Sequence, residues 1–165
     1  MGQVVDQTAL QDLAVAVRAD GRKAVFTNGY FDLLHVGHAR YLAQARALGD
    51  LLVVAVNADA TARRAKDPRR PIQGQADRVE LVAALGCVDY ALLFDDDTAT
   101  ALVRLLQPAI YVKGGDYAAD TGKRLPEAPA VEAYGGRVVI LPMEEGRSTT
   151  GIITTIIDRY CPTNG

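Results

Sequence analysis

KAVFTNGYFDLLHVGHARYLAQARALGDLLVVAV, residues 23–56, carries the fold in miniature. Lys23 to Asn28 is a short apolar strand that runs into Gly29. From Val36 to Leu48 the pattern turns helical, until Gly49-Asp50 stops it. Leu51 to Val56 is an unbroken aliphatic run, the composition of a strand covered on both faces of a parallel sheet. The stretch reads as a βαβ unit.

Reading outward, Leu10, Leu13, Ala14 and Val17 predict an amphipathic helix over Gln7 to Arg18, punctuated by Asp20-Gly21. Downstream the alternation repeats. A helix is expected from about Ala76 to Leu85, a strand from Asp89 to Phe94, and a helix from Thr98 to Gln107 after an acidic turn whose residues suit an N-cap. Then come a strand at Ala109 to Val112, a short helix at Ala128 to Tyr134, a strand at Arg137 to Leu141 opened by Gly135-Gly136, and a helix at Thr149 to Tyr160. Five strands alternating with helices predict a single α/β domain over residues 1–165, with an N-terminal helix in 1–21 and a core over 23–160. The expected architecture is a Rossmann-like, doubly wound five-stranded parallel sheet with helices on both faces. Such sheets bind ligands beyond the carboxyl ends of their strands, near the switch point. The gaps at Asp67 to Gln75 and Gly114 to Pro129 are candidate functional loops.

Composition supports one ordinary globular domain. At 165 residues, 49% hydrophobic and 23% charged, the chain is neither disordered nor fibrous. No apolar run reaches the roughly 18 residues of a membrane span. Asp6 and Asp12 stand where a secretory leader would be basic and then apolar, so a soluble cytoplasmic protein is expected. A net charge of −2 argues against a general nucleic-acid binder. Arg63, Arg64, Lys66, Arg69 and Arg70 crowd into eight residues, relieved only by Asp67. This cluster reads either as a dock for something anionic or as a solvated basic loop. Cys87 and Cys161 are expected to be reduced thiols.

If the sheet is parallel, its carboxyl edge presents Thr27-Asn28-Gly29, Asn57-Ala58-Asp59, Phe94-Asp95, Lys113-Gly114-Gly115-Asp116, and Pro142 with the segment up to Ser148. Neither G-x-G-x-x-G nor a Walker-type loop follows the first strand of the unit. Asn28 to His38 (NGYFDLLHVGH) stands there instead. Its His35 and His38 are the only two histidines in the chain, flank Gly37, and meet at one loop-to-helix junction. A helix start offers unpaired N–H groups to phosphate, Gly37 lets backbone approach closely, and imidazoles add donors to oxygens that gain charge. Two other readings compete. A metal could recruit His35, His38 and Asp32, although no H-E-x-x-H accompanies them; or the histidines cap and pack the helix start.

The stretch Thr27 to His38 resembles the nucleotidyltransferases with the H-x-G-H signature, within them the cytidylyltransferase-like group. Val56 to Asp59, Lys66 to Pro71, Asp77-Arg78, Val88 to Tyr90, Val112 to Tyr117 and Gly146 to Thr150 then follow in the order of the heptose-1-phosphate adenylyltransferase branch. The resemblance covers nearly the whole chain.

It implies transfer of AMP from ATP to a sugar phosphate, heptose 1-phosphate, by in-line single displacement with release of pyrophosphate and no covalent enzyme intermediate. His35 and His38 would contact the triphosphate and the transition state, with Thr27, Asn28, Gly29, Tyr30, Phe31 and the Gly37 backbone shaping the cradle. Lys66 would be the mobile-loop cation, and Ser148, Thr149 and Thr150 would hold the β and γ phosphates, Ser148 also being a suitable N-cap. Of these, His35, His38, Lys66 and Thr149 would be the catalytic set. Lys113, Gly114, Gly115 and Asp116 would lie by the base and ribose. Asp32, Lys66 and Arg78 would be substrate-binding, Arg78 matching a family position near the phosphates while also reading as an exposed helical arginine. Asp32 and Asp116 would orient groups or touch Mg²⁺ through water; Mg²⁺ would come with ATP, held mainly by phosphates rather than by protein ligands. The resemblance also implies a homodimer, for which the apolar edge of the N-terminal helix is one candidate and packing of that edge on its own sheet the other.

Two departures bear on the acceptor: Asp67 stands where the family usually has Gly, and Ala118 to Pro129 matches the family poorly. Two alternatives stay open. One is a cytidylyltransferase that uses CTP with glycerol 3-phosphate, ethanolamine phosphate or a phosphonate; the other is a nucleotide-binding module without turnover.

Overall fold

The computed structural model describes residues 1–65, 67–115, 125–142 and 146–161. Lys66 and Asp116, two of the expected site residues, lie outside them, as does most of the poorly matching stretch before Pro129.

The elements run β1 (Gln3–Val4), α1 (Gln7–Ala19), β2 (Ala24–Gly29), α2 (Val36–Arg46), β3 (Leu51–Asn57), α3 (Asp59–Ala65), α4 (Gln75–Ala84), β4 (Tyr90–Phe94), α5 (Thr100–Leu106), β5 (Ile110–Gly114), α6 (Ala128–Glu132), β6 (Arg137–Leu141) and α7 (Thr149–Tyr160). Among the described residues the sheet has six strands in the order β1-β4-β3-β2-β5-β6, and each neighbouring pair is parallel. One strand corrects the expectation of five: β1, two residues on the edge of β4, too short to show any period.

The aliphatic run of β3 is covered on both faces as expected. Leu51, Val53 and Ala55 pack with α1, α5 and α6 through Leu10, Ala14, Leu102, Val103 and Val131. Leu52, Val54 and Val56 alternate to the opposite face, against Leu42 and Ala45 of α2 and Val79 and Val82 of α4. Burying each such Leu or Val contributes about 1.5–3 kcal/mol. The register from Ala24↔Leu51 to Gly29↔Val56 brings the ends of β2 and β3 to one level.

After β2 the chain steps outward to β3 and β4, then returns to the other side of β2 for β5. The direction reverses between β2 and β5, which opens the switch-point crevice at the carboxyl ends of those two strands.

Two smaller expectations are corrected, and one of the two readings of α1 is decided. The acidic turn caps nothing with its side chains: the N-cap of α5 is Ala99, without a side-chain bond. Asp95 instead accepts from Thr61 at 2.9 Å, and Asp97 pairs with Arg64 at 2.9 Å. The basic cluster is not a bare loop, because Arg63 and Arg64 belong to α3. Lastly, the apolar edge of α1 packs on its own sheet, with Leu10, Ala14 and Val17 buried. No helix among the described residues is long and apolar enough to cross a membrane.

Candidate active site

A cavity of about 370 Å³ opens at this crevice, lined by Asn28 to Phe31, His35, Gly37 and His38 from the β2–α2 junction, Lys113 and Gly114 from β5, and Arg147 to Thr149 from the start of α7. Thus the segments whose spacing singled them out in the sequence meet in one place.

The β2–α2 loop is held in an unusual shape. Phe31 has φ +48°, a left-handed conformation uncommon for a bulky residue. It turns the ring into the core, 5% exposed, where it packs against the His38 imidazole with centroids 5.3 Å apart. A Cβ on Gly29 would lie 3.1 Å from that ring, so glycine leaves the space the turn needs.

His35 is the N-cap of α2 and His38 lies in its first turn. Their rings stack with centroids 3.9 Å apart and planes 27° apart. A Cβ on Gly37 would meet His35 Nδ1 at 2.9 Å, which is why a glycine must separate the pair. Burial, and then the neighbouring His35, lower the His38 pKa to about 4. Burial and the Arg147 charge lower that of His35 as well. A neutral imidazole carries one N–H donor and one acceptor. The Nδ1 atoms of both rings are buried with no hydrogen-bond partner among the described residues. The pair therefore stands ready to donate to anionic oxygens without having been charged beforehand.

Ser148 is the N-cap of α7, its Oγ accepting from the Gly151 amide at 3.0 Å. Thr149 Oγ1 donates to the Leu33 carbonyl at 3.5 Å, tying α7 to the histidine loop. The opening of α7 thus presents N–H groups and hydroxyls beside the imidazoles. Lys113, 8% exposed, donates to the Asn28 carbonyl at 3.2 Å, and Asn28 Oδ1 accepts from Tyr111 Oη at 2.6 Å. These bonds join β5 to β2 across the crevice.

Other expected residues do not line the cavity. Thr27 is wholly buried behind the wall, its hydroxyl bonded at 2.8 Å to Tyr41, which does line it. Gly115 and Thr150 also lie off the lining. Arg78 is neither exposed nor at the wall. It is 0% exposed and donates to the Gln73 carbonyl at 3.0 Å, the Tyr30 carbonyl, the Asn57 carbonyl at 2.8 Å and Asp59 Oδ1 at 2.7 Å. One guanidinium, whose rigid fork suits several acceptors, thereby pins the loops that follow β2 and β3 and precede α4. Asp32 is likewise engaged: Oδ1 accepts the Ile72 and Gln73 amides at 2.7 and 3.1 Å, and Oδ2 pairs with Arg70 at 2.8 Å. Its carboxylate thereby orients the backbone of residues 72 and 73 and the Arg70 side chain.

In the basic segment, Arg63 stands 4.0 Å from Asp59, Arg64 pairs with Asp97, Arg69 with Asp67 and Arg70 with Asp32. Each of the four described arginines therefore faces a carboxylate. Asp67, the departure from the family pattern, grips Arg69 through both oxygens at 3.0 and 2.8 Å, and these bonds lower its pKa to about 2.

Sequence reasoning placed Asn57, Pro142 and Arg147 at the carboxyl edge and Asp97 in a capping turn, but it did not single out Tyr41, Gln44, Pro126 or Glu127; all eight line the cavity. Among the described residues no group of three or more His, Cys, Asp and Glu is placed to hold a metal ion.

The chain is similar in sequence and in fold to known proteins. The chain is 51% identical over 154 residues to the bifunctional protein HldE of Syntrophotalea carbinolica and 48% identical over 160 residues to that of Trichlorobacter lovleyi. These alignments cover 92% and 96% of the chain but 30% and 32% of the relatives, so the chain spans about a third of their length. The crystal structure of the lipopolysaccharide core biosynthesis protein from Thermoplasma volcanium matches with 32% identity and TM-score 0.60, over 75% of this chain and 98% of that one. Pantoate-β-alanine ligase from Francisella tularensis shares the fold at 12% identity, with TM-score 0.62 over 92% of this chain and 70% of that one. The sequence profile of the cytidylyltransferase-like family matches residues 26–159. With its paired imidazoles at the switch point and that profile running through β2 to α7, the chain belongs to the cytidylyltransferase-like family of nucleotidyltransferases.

Proposed function

We propose that the chain transfers AMP from ATP to heptose 1-phosphate, giving ADP-heptose and pyrophosphate. The observation that carries this reading is the convergence of two stacked neutral imidazoles, the start of α7 and Lys113 on one cavity. The order of motifs and the near 50% identity to bifunctional proteins named HldE support the acceptor. So does the likeness to a lipopolysaccharide core biosynthesis protein.

In this reading the triphosphate lies across His35, His38 and the Gly37 amide, with its β and γ phosphates toward Ser148 and Thr149. The base and ribose lie beside Lys113 and Gly114, and Lys66 is the cation that the family resemblance assigns to the phosphates. A phosphate oxygen of the sugar attacks the α-phosphorus in line; the new P–O bond forms as the bond to the β-phosphate oxygen breaks. Pyrophosphate leaves with the electron pair, and no proton or covalent enzyme intermediate is required. Catalysis then consists of placing the reactants and donating to oxygens whose charge rises. Arg78 and Asp32 act by positioning the loops rather than by touching substrate. Mg²⁺ enters as part of the MgATP substrate, since both Asp32 oxygens are engaged within the protein.

Pyrophosphate release measured with ATP and heptose 1-phosphate tests the reading, with CTP plus glycerol 3-phosphate or ethanolamine phosphate in parallel. Turnover of the first pair well above the others is expected. Preference for a CTP pair overturns the assignment within the family, and nucleotide binding without pyrophosphate under any pair overturns the enzyme.

We also propose a homodimer, formed through α7 rather than α1. Ile156, Ile157 and Tyr160 on α7 are 48%, 52% and 79% exposed, whereas the apolar face of α1 is already covered. Sedimentation should show a dimer that Ile156→Glu with Ile157→Glu converts to monomer; a monomeric wild type contradicts it.

A further inference from the structure

One buried group of the cavity wall has no task in this scheme. Glu127, just before α6, is 2% exposed and lines the cavity. Its Oε1 accepts the Ala99 amide at 2.9 Å and so holds the opening of α5. Its Oε2 is buried and has no hydrogen-bond partner among the described residues. A carboxyl oxygen removed from water without a donor is costly in any fold, and it calls for a partner that the described residues do not supply.

Position narrows what that partner is. The imidazole loop and Lys113-Gly114 follow or end β2 and β5, where the proposed reaction places the triphosphate and nucleoside. Asn57 ends β3 and Asp97 follows β4, two strands on the side of β2 away from β5. Both line the cavity together with Glu127, which is bonded to Ala99 two residues beyond Asp97. The wall there presents an amide and two carboxyls and is rich in acceptors, so the complementary ligand groups are donors. A sugar phosphate brings a row of hydroxyls to such a surface.

Resting on the adenylyl-transfer reading, we propose that Glu127 is a specificity-determining residue whose Oε2 accepts a hydroxyl of the sugar acceptor. It selects a polyhydroxylated phosphate over a short phosphorylated alcohol. Selection of this kind is steep, because an acceptor lacking the hydroxyl leaves the buried oxygen unpaired. Glu127 exchanges no proton and forms no bond in the reaction; it fixes where the attacking phosphate stands.

Glu127→Gln tests this. The amide oxygen of Gln still accepts from Ala99, while the other position changes from acceptor to donor. The variant is therefore expected to keep the wild-type thermal midpoint within a few degrees. Its kcat/KM for heptose 1-phosphate should fall on the order of 10–100-fold, mostly through KM, the range for a lost bond to a carboxyl. KM for ATP should stay within about twofold of the wild-type value. In a series of monodeoxy acceptors, the analogue lacking the recognised hydroxyl should be turned over equally by wild type and variant. An unchanged acceptor KM in a folded variant overturns the subsite. A shift in KM for ATP, or in preference for ATP over CTP, overturns it in favour of a base contact. Failure of the adenylyl-transfer reading itself would appear in the wild type alone, as a preference for CTP with ethanolamine phosphate.

Discussion

His38→Ala is expected to lower kcat for AMP transfer by about 10²–10³-fold, the effect of removing one well-placed donor from a developing oxyanion. The donor is preorganised. Phe31 and His35 pack against the His38 ring, and its low pKa keeps it neutral in the free enzyme. Because an interaction with charge that appears only in the transition state acts on turnover, KM for ATP should change much less than kcat. The side chain is partly exposed, and the sheet beneath it is held by other residues, so circular dichroism and the thermal midpoint should stay near wild type. Turnover within a few-fold of wild type would remove His38 from the chemistry.

Arg78→Leu is expected to destabilise the fold by about 3–5 kcal/mol, measured by urea unfolding. The substitution keeps bulk but removes every donor from a site that is 0% exposed. It leaves the carbonyls of Tyr30, Asn57 and Gln73 and the Asp59 carboxylate without the group that pairs them. Breaking a buried pair by removing one partner is costly because the other stays behind. Arg78→Lys should recover little, since one ammonium cannot reach acceptors on three loops in the geometry of a guanidinium fork. Loss of less than about 1 kcal/mol in Arg78→Leu would show that the loops are held by other contacts, and would reopen a role for Arg78 toward ligand.

The two residues mark how far the sequence could be read. His38 was legible because its chemistry is local: two histidines, a glycine and a helix start occupy four consecutive positions, and the structure leaves them there. The β3 run was legible for a similar reason, since a strand buried on both faces needs an unbroken aliphatic composition and Leu51 to Val56 has it. Arg78 was not. In the sequence it is one cation on a helix, and only the fold brings Tyr30 and Asn57, 48 and 21 positions away, to its donors. Glu127 escaped notice for the same reason: its partner Ala99 lies 28 residues back and offers a backbone amide that no side-chain pattern reveals. The carboxylates that pair with Arg64 and Arg70, Asp97 and Asp32, come from other loops and so cannot be read from the basic segment itself. β1 left no trace because two residues cannot display a period.

At the mouth of the β2–β5 crevice, the paired imidazoles are proposed to grip a triphosphate. A crystal structure with a non-hydrolysable ATP analogue and Mg²⁺ tests this most directly. The account predicts α-phosphate oxygens within hydrogen-bonding distance of His35 or His38 and the terminal phosphates at the first amides of α7. A triphosphate bound elsewhere, with both imidazoles free of it, would contradict the account.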